Sequence, residues 1–126
     1  MSPILTDAPV LYSLTYRSLA VRPLRHAELA QLLVAARQHN QAEGVTGILL
    51  FLQGRFMQYL EGPADGLDRI FARIQASPLH RDLTEPLREP LAQRAYADWT
   101  MAFLADADLA HPAPYGAAAL TQRLKS

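Results

Sequence analysis

Val45-Thr46-Gly47-Ile48-Leu49-Leu50-Phe51-Leu52-Gln53-Gly54-Arg55-Phe56-Met57-Gln58-Tyr59-Leu60-Glu61-Gly62-Pro63 contains two apolar runs separated by the turn signal Gln53-Gly54, and so predicts a β-hairpin. In the second run, strand alternation puts Phe56, Gln58 and Leu60 on one face and Met57 and Tyr59 on the other. Gln58 is the residue hardest to explain as packing. A carboxamide between apolar neighbours must find partners for its donors and acceptor, or it costs roughly 1–3 kcal/mol. Taken alone, it is explained by an ordinary polar partner in the core.

Before the hairpin, Val10 to Ser18 alternates as a strand with Tyr12, Leu14 and Tyr16 on one face. From His26 to Glu43 the period becomes helical, with Leu29, Leu32, Leu33, Ala36 and Asn40 on one stripe and Gly44 as the stop. After it, Pro63 suits the first turn of a second helix, in which Leu67, Ile70, Phe71 and Ile74 share a stripe and which ends near Ser77-Pro78. Residues 82–92 can hold a strand that Pro86 and Pro90 confine to an edge or interrupt. Trp99 to Leu104 is the last strand, with Trp99, Met101 and Phe103 on one face, and Ala117 to Lys125 has the spacing of a short helix.

The order predicts an α+β fold: a ferredoxin-like βαββαβ sheet with an additional strand, two helices on one face and a short C-terminal helical segment. Met57 and Tyr59 then need a cover on the other sheet face, from the C-terminal segment or another subunit. The expected organisation is a lead over residues 1–9, one domain over 10–105 and a capping segment over 106–126.

The 126 residues suffice for one domain with a core. Twelve basic residues balance twelve acidic ones, which argues against nucleic acid or an anionic membrane as partner. There is no cysteine, hence no disulfide and no thiolate site. The N-terminus lacks the signal-peptide pattern and no apolar run approaches the ~20 residues that span a bilayer, so a cytoplasmic location is expected.

Enzyme motifs are scarce. His26, His39, His80 and His111 lack metal-ligand spacing and read as surface or cap residues. Glu61, just ahead of a helix, is accounted for by the helix dipole. Arg17 and Arg73 are candidates for contacting an anionic group. Tyr16, Asn40, Gln58, Trp99 and Met101, each ordinary alone, together describe a groove for a planar heteroaromatic ligand rich in acceptors.

Those segments carry a resemblance. Tyr16-Arg17-Ser18-Leu19, Asn40 followed by Val45-Thr46-Gly47-Ile48-Leu49, Gly54 to Gly62, Ile74 followed by His80-Arg81-Asp82, and Asp98-Trp99-Thr100-Met101 resemble the BLUF family, sensors of blue light using FAD, in order and spacing from about Leu11 to Leu104. The resemblance implies a non-covalently bound flavin: FAD, with FMN or riboflavin as substitutes. It makes Tyr16 the photochemical electron and proton donor and Gln58 the switching amide. Asn40 would bond the ring, Leu32 and Ile74 would sandwich it, and His39 and Arg73 would lie near the cofactor. Ser18, Trp99 and Met101 would couple the signal outward, with Ser18 beside Trp99. Ser77 stands where many members carry an acid, and Pro86 lies in a strand that is usually proline-free. With no effector domain recognised, output is expected through a separate partner protein or self-association as a homo-oligomer. A ferredoxin-like hydrolase of the acylphosphatase type, using Arg17 or Arg73 with Asn40, and a cofactor-free dimeric interaction module are the competing readings.

Overall fold

Among residues 10–105, which the computed structural model describes, the elements run β1 (Leu11–Ala20), α1 (His26–Glu43), β2 (Thr46–Leu52), β3 (Arg55–Pro63), α2 (Ala64–Ala76), β4 (His80–Arg81), β5 (Leu87–Leu91) and β6 (Ala102–Ala105). The lead over 1–9, His111, the Ala117–Lys125 helix and the capping segment over 106–126 lie outside the described residues. The strand order is β4-β1-β3-β2-β6, with β5 also on β1. β1 to β5 pair antiparallel in the ferredoxin-like pattern, and β6 is the additional strand, parallel to β2. No helix among the described residues is long and apolar enough to cross a membrane.

The hairpin forms as its sequence predicts. Gln53 and Gly54 take φ of 53° and 75°, the two left-handed residues that a tight hairpin turn requires. Gly47 faces Leu60 across the hairpin, and a Cβ there would sit 2.1 Å from the Tyr59 carbonyl oxygen, so only glycine fits. α1 stops at Gly44, whose φ of 68° lets the chain turn back into β2.

Alternation gives the sheet two distinct faces. Leu14, Tyr16, Phe56 and Leu60 face α1 and α2, packing with Leu33, Leu67, Ile70, Met101 and Phe103 in the main core. On the outer face, Ile48 and Leu104 are buried beneath Tyr96 and Trp99. The segment 94–99 thus covers part of the outer face, while Met57 stays 39% exposed.

Four sequence expectations need correction. Pro63 has an extended backbone and closes β3, so it precedes the helix instead of lying in its first turn. The predicted edge strand over 82–92 forms only as β5, Leu87–Leu91, on the edge beside β1; Pro86 falls in the gap between β4 and β5, and the Thr84 amide bridges that gap by donating to Arg17 O at 2.9 Å. The last strand starts at Ala102, not Trp99, because the preceding carbonyls are claimed elsewhere. Trp99 O accepts from the Gly47 amide at 2.8 Å, Thr100 O from Asn40 Nδ2 at 2.7 Å, and Met101 O from Arg37 Nε at 2.9 Å. This irregular backbone also turns Trp99 to the outer face, where its ring stacks on Tyr96 at 5.2 Å, so it does not share a face with Met101 and Phe103.

Glu61 is the fourth. It is fully buried on the outer face, and its carboxylate accepts from the Ala95 amide at 2.9 Å, the Tyr96 amide at 2.9 Å and the Tyr59 hydroxyl at 2.8 Å. Its role is to fasten the 94–99 segment, not to complement a helix dipole. Arg94 adds a second fastening, donating to Thr46 Oγ1, Glu61 O and Gly44 O at 2.6–3.0 Å.

Candidate functional site

α1 and α2 leave between them a cavity of ≈ 280 Å³ floored by the inner face of β1, β2 and β3. The apolar part of its wall includes Leu32 and Ala36 from α1, Ile70 and Ile74 from α2, and Leu49 and Phe56 from the sheet. The polar part comprises Tyr16, His39, Asn40, Gln58, Arg73, Ser77 and His80. Period 2 in the strands and period 3.6 in the helices aim these side chains at one space.

The centre of the site is a buried chain of weak and strong hydrogen bonds. Tyr16 Oη donates to Gln58 Oε1 at 2.5 Å, and Gln58 Nε2 donates to Met101 Sδ at 3.7 Å. Tyr16 and Gln58 are both nearly inaccessible to water. Burial raises the Tyr16 phenol above its ordinary pKa, so it is a neutral donor. Thioether sulfur is a poor acceptor, so the amide is held firmly at its oxygen and loosely at its nitrogen.

Seven residues expected at the cofactor, Tyr16, Leu32, His39, Asn40, Gln58, Arg73 and Ile74, all line the cavity, as does Ser77. Met101 is buried against Gln58. Ser18 is not beside Trp99: its hydroxyl lies 2.7 Å from His80 Nδ1, while Trp99 is across the sheet. Arg17 is exposed on the outer face, opposite Met57, so of the two arginines that the hydrolase reading offered beside Asn40 only Arg73 lines the cavity.

His80 is the site residue that the sequence reading passed over. Instead of a surface or cap residue, it is a partly buried bridge, with Nε2 at 2.6 Å from Ile74 O and Nδ1 at Ser18. A carbonyl accepts only, so Nε2 carries a proton and donates to Ile74 O, which turns Nδ1 toward the Ser18 hydroxyl. Its ring meets Tyr16 edge-on at 6.2 Å and Phe56 at 5.7 Å. Arg37 was missed too; its position outside the apolar stripe gave no sign that it reaches Met101 O.

The family model for sensors of blue light using FAD matches residues 11–102. Photoactivated adenylate cyclase subunit beta from Euglena gracilis is 37% identical over 97 residues, covering 76% of this chain and 11% of that protein. This chain therefore spans about a tenth of the length of such curated relatives. The dark-state structure of BlrB, a BLUF protein, superposes with a TM-score of 0.75 at 36% identity, covering 84% of this chain and 80% of that one. The BLUF unit of BlrP1 gives 0.70 at 37% identity over 79% of this chain and 67% of that one, and a Klebsiella pneumoniae BlrP1 structure holds FMN and cyclic diGMP. With that match over most of its length and a tyrosine, a glutamine and an asparagine converging on one cavity, the chain belongs to the BLUF family, the sensors of blue light using FAD.

Proposed function

We propose that this chain is a blue-light photoreceptor in which the cavity between α1 and α2 holds the ring of a non-covalently bound flavin, FAD in the first instance, and the Tyr16–Gln58 pair converts light into a change of hydrogen bonding. The observation that carries this is the buried 2.5 Å bond from Tyr16 to Gln58 on the cavity wall. The lining fits the group: apolar side chains from both helices offer flat contact, and Asn40 and Gln58 offer amide donors and acceptors at the edges. A cavity of ≈ 280 Å³ lies at the small end of the ~300–1,000 Å³ typical of ligand sites, so it suits the ring with the ribityl and nucleotide portion outside.

Bound flavin supplies blue-light absorption and an excited state able to draw an electron from a phenol. Tyr16 is the phenol at hand, and Gln58 Oε1 is the acceptor already placed on its proton. Rotation or tautomerisation of the Gln58 amide would then exchange a donor for an acceptor at the cavity wall. Any such change alters what Met101 Sδ meets, and Met101 and Thr100 are tied through their carbonyls to Arg37 and Asn40 of α1. Output would therefore leave along the 99–105 segment toward an effector protein, with Trp99 contributing from the outer layer. Purified protein loaded with flavin should show a light-minus-dark absorbance difference with the flavin band moved to the red and reversing in darkness. Denaturation should release the flavin; a spectrum unaffected by blue light would refute the photoreceptor reading.

A further inference from the structure

The outer face of the sheet concentrates positive charge at its hairpin end. Alternation and register put Arg17 and Leu19 of β1, Arg55 and Met57 of β3, and Arg81 of β4 on that face. Leu19 pairs with Arg55 on one side and Arg81 on the other, so these two arginines stand about 10 Å apart at the backbone. Arg17 follows about 7 Å along β1, opposite Met57, which in turn pairs with Leu50. All three arginines are exposed. Arg17 and Arg55 form no ion pair with another described residue, and Arg81 pairs with its exposed neighbour Asp82 at 2.9 Å. Among the other acids, Glu61 is buried under the 94–99 segment, Glu89 faces Ser13 at the far end of β1, and Glu85 is exposed on the link between β4 and β5. Between the cations the surface is apolar: Met57 is 39% exposed, and Leu19 and Leu50 are half-buried. Protection of a sheet edge against pairing accounts for Arg81. It does not account for Arg55, whose strand is paired on both sides, or for Arg17, whose amide and carbonyl are both taken by Thr84.

We propose that this patch is a docking surface for an acidic segment of a partner protein, one in which apolar side chains are interspersed with carboxylates. The inference concerns the face away from the cavity and holds whether or not flavin is bound. Charge complementarity selects the occupant: each guanidinium fork matches the two oxygens of a carboxylate, and three of them surround one apolar centre. Met57 and Leu19 offer that centre to an apolar side chain, and the unbranched methionine adapts to its shape. Arginine and methionine are also the residue types enriched at the core of protein interfaces. A nucleic acid or an anionic membrane fits less well, because twelve basic residues balance twelve acidic ones and leave no wider positive field to hold a polyanion. Since the arginines are exposed, the attraction is modest for each and sensitive to salt.

The test is fluorescence anisotropy of a short labelled peptide of glutamate, leucine and serine, titrated with the full chain beside a control peptide in which glutamine replaces glutamate. At low salt the glutamate peptide should bind about tenfold more tightly than the control. At about 1 M salt, where the screening length falls to about 3 Å, the ratio should approach one. The double variant Arg17→Gln, Arg55→Gln should lose about three- to tenfold in affinity for the glutamate peptide and little for the control. Arg81→Gln should weaken binding in the same sense, and serves alone if the double variant does not fold. Backbone amide NMR shifts induced by the peptide should centre on Arg17, Leu19 and Met57. No binding by the parent would overturn the proposal, and is the result expected if residues 106–126 or a second copy already occupy the face. Equal affinity for the two peptides, affinity unchanged in the arginine variants, or tighter binding of a single-stranded oligonucleotide than of the peptide would overturn it as well.

Discussion

Replacing Tyr16 by Phe takes away one oxygen and leaves the ring contacts, edge-on to Phe71 at 5.7 Å and to His80 at 6.2 Å, in place. The flavin should stay bound. The loss falls on Gln58 Oε1, which sits in a residue only 5% exposed and loses its hydroxyl donor. A net hydrogen bond contributes about 0.5–1.5 kcal/mol, and a buried acceptor left unpaired costs about 1–3 kcal/mol, partly offset because the phenol oxygen no longer needs desolvating. The expected destabilisation is about 1–2 kcal/mol, which moves a urea midpoint by roughly 1 M at the usual slope. The photochemical consequence is larger, since phenylalanine has no proton to give and is harder to oxidise: the light-minus-dark signal should vanish. Both assays use one preparation. A Tyr16→Phe protein with a red shift of parental size would refute Tyr16 as the donor. One with a photocycle abolished but stability unchanged would refute the energetic role given to the bond.

Glu61→Gln should destabilise the protein by about 2–4 kcal/mol, because the amide replaces one acceptor oxygen with a donor facing backbone N–H groups. Urea denaturation measures this, and flavin affinity should be unaffected since the cavity is on the other face. Gly47→Ala should cost at least about 1–3 kcal/mol through the clash with Tyr59 O, seen as a lower thermal midpoint. Alkaline pH should also weaken the fold. Burial raises the pKa of Tyr16, and burial followed by the bond to Glu61 raises that of Tyr59, so both stabilise the protein in their neutral forms. That stabilisation is complete below the unfolded value of about 10 and is lost as pH rises from there toward the folded values. Denaturation curves between pH 8 and 11 should show the decline, and Tyr16→Phe should flatten it.

The hairpin, both long helices and five cavity residues, Tyr16, Leu32, Asn40, Gln58 and Ile74, were legible in a repeating pattern or a turn residue, whereas His39 and Arg73 were placed near the cofactor only by the family resemblance. Gln58 could be placed on the inner face from alternation alone. The features that escaped depend on tertiary partners. β4 has two residues, too few to carry a period. The Trp99–Met101 stretch alternates like a strand, yet its carbonyls are taken by side chains of α1 and by Gly47, which breaks the alternation and sends Trp99 outward. Glu61 looked like a residue explained by the helix beside it, when the two backbone amides it accepts from, those of Ala95 and Tyr96, lie 34 and 35 positions further on. His80 carries no local sign of bridging Ser18 and Ile74.

The close approach of Gly47 to the Tyr59 carbonyl acts as a key for strand alignment. A slip of one residue along β3 would exchange its two sides, bringing Tyr59 and Glu61 into the helical core and sending Gln58 outward. It would also set a residue with a side chain against a backbone that has no room for one. Sensor and outer fastening therefore share a single reading frame on β3, set by the two-residue turn at Gln53-Gly54. Insertions or deletions in this hairpin are tolerable only where they leave that frame intact, whereas β5, on the edge beside β1, is free of the constraint.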